Sequence, residues 1–151
     1  FVIKRLLSSD EVLVASPAFA KGHPRIRHPR DLLQVRCLTY RREHEVTSWR
    51  YIDEQGQQQD LAIQGVLSSN NGEVLRLAAM GGMGVALLSE AAVRSCLRDG
   101  TLVRLLPDHR MAVRQFSNGV FAVFRRSDRL PLKVRAFVDF LAEALQADQP
   151  D

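Results

Sequence analysis

The sequence feature that most constrains the fold is a strand–helix–strand pattern that ends at residue 88. An alternating run followed by Ser68-Ser69-Asn70-Asn71-Gly72-Glu73 predicts a strand that leads into a helix. Asn70 and Glu73 have the spacing of a capping box, with Asn in place of Ser or Thr. Gly81-Gly82 predicts the end of the helix, and the apolar run 85–88 predicts a buried strand. This order of elements indicates an α/β sheet with helices on its faces.

The same kinds of pattern predict the other elements of the chain. Turn residues at 54–56 predict an antiparallel hairpin between strand 48–52 and the alternating run that follows, which has Leu61, Ile63, Gly65 and Leu67 on one face. In chain order, the remaining predicted elements are strand 11–16, short helices 17–21 and 29–33, strand 35–40, helix 89–97, strands 102–106 and 120–124, and a helix that starts at Pro131.

Composition places the chain among ordinary globular domains. It has 151 residues, 46% hydrophobic and 25% charged, with a formal net charge of +4. This balance excludes a disordered tail and a coiled coil, and no apolar run reaches the roughly 18 residues needed to span a bilayer. Because the chain opens with Phe1-Val2-Ile3 rather than Met, we expect it to be the interior of a longer polypeptide.

The basic residues do not indicate a nucleic-acid surface. The densest groups are residues 25–30, Arg41-Arg42 and Arg125-Arg126, and they lack the interleaved aromatic residues typical of such a surface. We interpret them as solvated surface of mixed charge. Cys37 and Cys96 lie in apolar surroundings outside any CxxC motif. This favours buried free thiols in a reducing cytoplasm, although the sequence also permits a disulfide.

The sequence shows no assembled metal-binding or catalytic set. Its 4 histidines have no metal-ligand spacing, so we expect neither a metal nor a cofactor. The run Gly81-Gly82-Met83-Gly84 is glycine-rich, but it closes a helix, whereas a phosphate loop opens one. The chain also lacks a GxSxG nucleophile elbow, and its carboxylates are dispersed. These observations predict a protein that is not an enzyme.

The turn between the predicted strand and helix is the best candidate for a binding site. Ser68 and Ser69 supply hydroxyls, Asn70 and Asn71 supply amides, and a helix N-terminus adds unpaired backbone N–H groups. Together with the positive end of the helix dipole, these groups favour an anion, in particular a carboxylate. Glu73 carries a negative charge at the same end, so we expect it to turn back toward the cap. The alternative is a cap that only stabilises the helix.

A set of short motifs follows one fixed order over nearly the whole chain. They are Val12-Leu13-Val14-Ala15-Ser16-Pro17-Ala18-Phe19, Pro29-x-Asp31-Leu32, Trp49-x-Tyr51, Ser69-Asn70, Leu77-Ala78-Ala79-Met80-Gly81-Gly82-Met83-Gly84-Val85-Ala86-Leu87-Leu88, and Pro131-x-Lys133-Val134-Arg135-Ala136-Phe137-Val138-Asp139-Phe140-Leu141. Each motif alone is weak. The ordered set resembles the effector-binding domain of LysR-type transcriptional regulators.

The resemblance implies an α/β fold like that of periplasmic binding proteins, with two lobes and an effector in the cleft. Residues 1–14 and 120–147 would form a partial first lobe, residues 15–119 a nearly complete second lobe, and residues 148–151 a frayed tail. The family's winged helix-turn-helix and the opening part of its first lobe would precede Phe1. The apolar face of the last helix, with Val134, Phe137 and Leu141, would then need a partner.

The resemblance also implies a function and a site. It implies a cytoplasmic bacterial regulator that senses a small effector, self-associates, has no membrane partner and contacts DNA only through the absent helix-turn-helix. The family uses the loop after a second-lobe strand, which assigns Ser68, Ser69 and Asn70 to the effector. Ser16 and Met83 are further candidates, with a helix cap for Ser16 and core packing for Met83 as alternatives. A periplasmic-type solute-binding module and a small α/β enzyme are the competing functions.

Overall fold

The chain folds into two compact units. The computed structural model describes residues 1–41, 48–113, 116, 119–125 and 131–147. The small unit comprises Phe1–Ser9 and Ser117–Asp151, and the large unit comprises Asp10–Phe116. The large unit includes the strand before Ser16, which is hydrogen-bonded to other strands of that unit. The assignment of these units to the family's lobes stays a prediction. The predicted frayed tail lies outside the described residues.

The described residues contain ten strands, four α-helices and one 3₁₀ helix. The strands are β1 (Val2–Ser8), β2 (Glu11–Ala15), β3 (Cys37–Tyr40), β4 (Ser48–Ile52), β5 (Gln58–Ala62), β6 (Gly65–Ser69), β7 (Val85–Ser89), β8 (Val103–Arg104), β9 (Met111–Ala112) and β10 (Gly119–Phe124). The α-helices are α1 (Pro17–Gly22), α2 (Gly72–Met80), α3 (Glu90–Asp99) and α4 (Leu132–Ala147), and the 3₁₀ helix is Pro29–Gln34.

The large unit is built on one mixed sheet of eight strands. Their order is β5-β4-β9-β2-β7-β3-β6, and β8 pairs with β2 beside this path. Strands β7, β3 and β6 run parallel to one another, and the other pairings are antiparallel. Helix α2 connects β6 to β7 across β3, as the predicted strand–helix–strand pattern requires.

Each face of this sheet carries its own core, because side chains alternate along a strand. On strand β2, Leu13 and Ala15 face a cluster that includes Phe19 of α1, Leu32 of the 3₁₀ helix and Trp49. Val12 and Val14 face a second cluster that contains apolar residues of α2 and α3, namely Leu75, Ala79, Val93 and Cys96. Burial on both faces explains why strands 11–16 and 85–88 appear in the sequence as continuous apolar runs.

The structure corrects the predicted hairpin in its second half. Strand β4 pairs antiparallel with β5, as predicted, with Trp49 opposite Leu61. The alternating run then breaks after Ala62, and β6 pairs instead with β3 in parallel, with Tyr40 opposite Ser69. A common alternation of apolar residues cannot distinguish one long strand from two strands that turn to different neighbours.

One predicted strand is shorter in the structure, and two strands of the structure were not predicted. The strand predicted over 102–106 is limited to Val103–Arg104, because Leu106 has a left-handed backbone with φ 48° that ends the extended conformation. Strands β1 and β9 were not predicted, and the two residues of β9 are too few to show a period. Cys37 and Cys96 are both buried free thiols, as the sequence favoured.

The small unit consists of the antiparallel pair β1–β10 with helix α4. Lys4 of β1 and Asp139 of α4 form an ion pair at 2.6 Å. On the predicted apolar face of α4, Val138 is buried, whereas the neighbouring Phe137 and Phe140 are exposed. Among the described residues, no helix has the length and apolar character needed to cross a membrane.

Candidate functional site

The ends of the three parallel strands define one edge of the large sheet. Tyr40 at the end of β3 lies opposite Ser69 at the end of β6, and β7 runs in the same direction. The three strands therefore end at the same edge, where β6 and β7 lead into α2 and α3. In open α/β sheets, ligands bind outside the carboxyl ends of the parallel strands. This edge is the natural location for a site.

Ser68 and Ser69 are fixed to strand β3 at this edge. The hydroxyl oxygens of Ser68 and Thr39 lie 2.7 Å apart and share a hydrogen bond. Thr39 is buried, whereas Ser68 is exposed. The backbone N–H of Arg41 donates to the carbonyl of Ser69 over 2.9 Å. These bonds hold both serines at the edge, where Ser68 is an exposed residue.

Asn71, and not Asn70, caps helix α2. Its side-chain oxygen accepts a hydrogen bond from the N–H of Glu73 over 2.9 Å, and its own N–H donates to Oγ of Ser69 over 3.1 Å. The sequence prediction placed the cap at Asn70 and was wrong by one residue. Asn71 is the last residue with extended backbone before Gly72 begins the helix, and only that position can cap it. Asn70 is exposed beside the cap.

Glu73 pairs with Arg76 rather than turning back to the cap as expected. Nε of Arg76 donates to Oε2 of Glu73 over 2.8 Å, and a second bond joins the guanidinium to Oε1. This hydrogen bonding to Arg76 lowers the pKa of Glu73 below its ordinary value, so the carboxylate is ionised at neutral pH. The guanidinium offsets the negative charge that otherwise disfavours an anion at this helix end.

The structure does not bring Ser16 and Met83 to this turn. Oγ of Ser16 is buried and accepts from the N–H of Phe19 over 3.2 Å, which makes Ser16 the N-cap of α1. A Cβ added at Gly82 would lie 3.5 Å from this hydroxyl, so Ser16 is beside the loop that contains the half-exposed Met83. This loop precedes β7, whereas Ser68 follows β6.

The two groups of candidates therefore lie at opposite ends of the parallel strands. The loop before β7 lies beside Arg36, since a Cβ at Gly84 would be 2.5 Å from the Arg36 carbonyl oxygen. Ser69 is level with Tyr40 at the other end of β3. At ~3.3 Å per residue, the distance along the strand from Arg36 to Tyr40 is roughly 13 Å. A single small ligand at the turn would not also contact Ser16.

The glycine-rich run 81–84 ends α2, as predicted. Gly82 has a positive φ of 77°, and the N–H of Met83 donates to the carbonyl of Ala78 over 3.0 Å. Thr39 and Arg41, in contrast, were not identified from the sequence. Their link to Ser68 and Ser69 depends on parallel pairing between distant strands, which no local motif reveals. Within the described ranges, no group of three His, Cys, Asp or Glu side chains could hold a metal ion.

Comparison with known proteins identifies the family. The family model for the LysR substrate-binding domain matches residues 1–146. The chain is a member of this family. It is 29% identical over 151 residues to the HTH-type transcriptional regulator DmlR of Escherichia coli (strain K12), covering 99% of this chain and 47% of DmlR. It is 28% identical over 141 residues to the HTH-type transcriptional regulator PtxR of Pseudomonas aeruginosa, covering 93% of this chain and 44% of PtxR. The chain thus spans about half the length of these curated relatives.

Solved structures of the same family support the fold. The full-length virulence activator AphB of Vibrio cholerae matches 95% of this chain and 47% of its own, with a TM-score of 0.77 and 27% identity. The regulatory domain of CrgA, a LysR-type regulator from Neisseria meningitidis, matches 95% of this chain and 69% of its own, with a TM-score of 0.76 and 26% identity. The fold is therefore that of the regulatory domains of LysR-type regulators, the periplasmic-binding-protein-like α/β fold that the sequence predicted.

Proposed function

We propose that this chain senses a small anionic effector for a LysR-type transcriptional regulator and controls a DNA-binding helix-turn-helix outside these 151 residues. Membership of the substrate-binding domain family supports a ligand-sensing role. The relatives DmlR and PtxR are both transcriptional regulators, which favours regulation over solute transport or catalysis. A regulator of this kind acts in the cytoplasm, where its DNA is.

The observation that carries the ligand assignment is the polar edge at Ser68–Asn71. It combines the exposed residues Ser68 and Asn70 with the first turn of α2. Hydroxyl, amide and helix N-terminal N–H groups all donate hydrogen bonds, so together they complement the oxygens of a carboxylate. The arrangement in the structure favours Ser68, Ser69, Asn70 and Asn71 as the contacts.

Calorimetry on the complete regulator tests this assignment, with a panel of small carboxylates such as succinate and amines of matched size. We expect a carboxylate to bind best. Ser69→Ala combined with Asn70→Ala should weaken that ligand at least tenfold, about 1.4 kcal/mol, which is the scale of one or two hydrogen bonds. Both substitutions leave the capping side chain of Asn71 in place, and Ser69→Ala removes only the acceptor of the Asn71 N–H. Gln64→Ala, an exposed neighbour ahead of β6, is the matched control and should leave affinity unchanged. Equal affinity in the double variant, or a cationic best ligand, would contradict the assignment.

A further inference from the structure

The basic segment singled out in the sequence surrounds a pocket that the proposed function does not use. The pocket has a volume of about 500 Å³ and is lined by Gly22, His23, Pro24, Arg25, Ile26, Asp31, Gln34 and Val35. Its residues come from the end of α1, the loop that follows it, the 3₁₀ helix and Val35 directly after that helix. The volume falls within the range of about 300–1,000 Å³ that is typical of small-molecule sites.

The surroundings of this pocket are strongly positive. Between residues 21 and 36, the exposed cationic side chains are Lys21, Arg25, Arg27, Arg30 and Arg36. The acidic residue of this segment is Asp31, whose Oδ2 accepts backbone N–H groups of Arg27 and His28 at 2.9 and 2.8 Å. Its charge is thus engaged by the backbone. Asp31 and Arg25 both line the pocket, but five cationic side chains surround this one carboxylate, and a surface with such an excess of one charge attracts ligands of the opposite sign.

His23 and Arg36 are positioned through a shared contact with Phe19. The His23 ring stacks on Phe19 with ring centres 4.0 Å apart, and the Arg36 guanidinium carbon lies 5.6 Å from the centre of the same ring. Nδ1 of His23 lies 2.8 Å from the Phe19 carbonyl oxygen. Because that oxygen can only accept, Nδ1 donates this hydrogen bond, which fixes the orientation of the ring. A fixed imidazole thus lies beside the cations.

The pocket wall is not uniformly polar. Ile26 and Val35 are partly buried, pack against the core of the large unit and line the pocket beside Arg25. An inorganic anion or a DNA phosphate would gain nothing from contact with an apolar wall, because phosphate contacts are made by charged and polar groups. An organic anion matches both features, with its charged group at Arg25 and its apolar body on Ile26 and Val35.

We propose that this pocket is a second ligand site of the chain, separate from the Ser68–Asn71 edge, and that it binds a small organic anion. All its lining residues lie between positions 22 and 35, so it is formed by a continuous stretch of chain. Arg25 binds the charged group of the ligand, and Arg36 adds to the local positive potential. The site goes beyond effector sensing at the turn and does not depend on it.

Calorimetry on the complete regulator tests the proposal, with benzoate as the organic anion and benzylamine as the cation of matched shape. We expect saturable benzoate binding that Arg25→Ala weakens at least tenfold and Arg25→Lys largely retains. Arg98→Ala, which removes an exposed arginine of α3, is the matched control and should change affinity less than twofold. Benzylamine should not bind measurably.

The same variants separate this site from the turn and from DNA. Ser69→Ala with Asn70→Ala should leave the benzoate binding that is sensitive to Arg25 in place. The proposal is overturned if Arg25→Ala binds benzoate like the unmodified regulator, if the double variant at the turn abolishes all benzoate binding, or if benzylamine binds as tightly. It is also overturned if Arg25→Ala weakens DNA binding while benzoate binding stays unchanged.

Discussion

At the scale of single residues, the cap of α2 shows how closely the candidate site and local stability are connected. Asn71 accepts the N–H of Glu73 and donates its own N–H to Ser69. Asn71→Ala removes a side-chain cap, so the free energy of unfolding should fall by about 0.5–2 kcal/mol. Asn70→Ala serves as the control and should leave it unchanged. Urea unfolding of both variants decides this, and an equal loss at both positions would show that Asn71 is not the cap.

Cys37 offers a second test at this scale. Burial raises the pKa of its thiol to about 12, and Sγ lies 3.5 Å from the carbonyl oxygen of Leu32. Because the thiolate is the reactive form, Cys37 should not react with a disulfide reagent at pH 8 while the protein is folded. We expect Cys37→Ser to leave the reactivity of the folded protein toward the reagent unchanged, and to lower the number of reactive thiols by one only after unfolding. If the folded protein reacts with the reagent and Cys37→Ser abolishes that reaction, the burial of Cys37 is contradicted.

Glu11, at the start of β2, predicts a dependence of stability on pH. Burial raises its pKa above the ordinary value of 4.5, although a hydrogen bond from the N–H of Val113 opposes this effect. The folded state therefore holds the proton more tightly than the unfolded chain, so this residue favours folding as pH falls and disfavours it as pH rises. Glu11→Gln should raise the unfolding temperature at pH 7, with a smaller gain near pH 4.5. Glu54→Gln, at an exposed turn, is the control and should leave the unfolding temperature unchanged at both pH values.

At the scale of elements, close packing between the strands is tested at Gly84. A Cβ at this position would lie 2.5 Å from the carbonyl oxygen of Arg36, a backbone atom that cannot move aside easily. Gly84→Ala should therefore destabilise the large unit by about 1–3 kcal/mol through overpacking. Gly72→Ala has no atom within 4 Å of the added Cβ and provides the control. Similar unfolding midpoints for the two variants would contradict the contact.

The sequence predicted most elements because their signals are local, and it failed where the signal is not local. Proline and glycine marked the ends of α1 and α2, and apolar runs marked β2 and β7. The sequence pattern does not reveal that β6 pairs with a different strand than β5 does, because the same alternation of apolar residues continues through both strands. The site shows the same limit: Ser68 and Ser69 were identified, but their partner Thr39 belongs to a distant strand.

At the scale of the whole molecule, apolar exposure differs between the two units. The large unit buries apolar side chains on both faces of its sheet. In the small unit, the described side chains that remain exposed include Phe1, Ile3, Val120, Phe121, Val123, Leu132, Phe137 and Phe140. Such a concentration exceeds the scattered apolar residues of ordinary surfaces and is typical of an interaction surface. The small unit is therefore where contacts with further protein are expected.

This concentration predicts that the 151-residue chain self-associates through its small unit. Phe137 and Phe140 lie on α4 and are 60% and 62% exposed, so replacing them should not disturb the core. Phe137→Glu with Phe140→Glu should weaken association at least tenfold in sedimentation equilibrium, because charged groups lose hydration when they are buried in an interface. Leu33→Glu, at a 51% exposed position in the large unit, is the control and should associate like the unmodified chain. A stable monomer at high concentration, or equal loss in the control, would contradict the prediction.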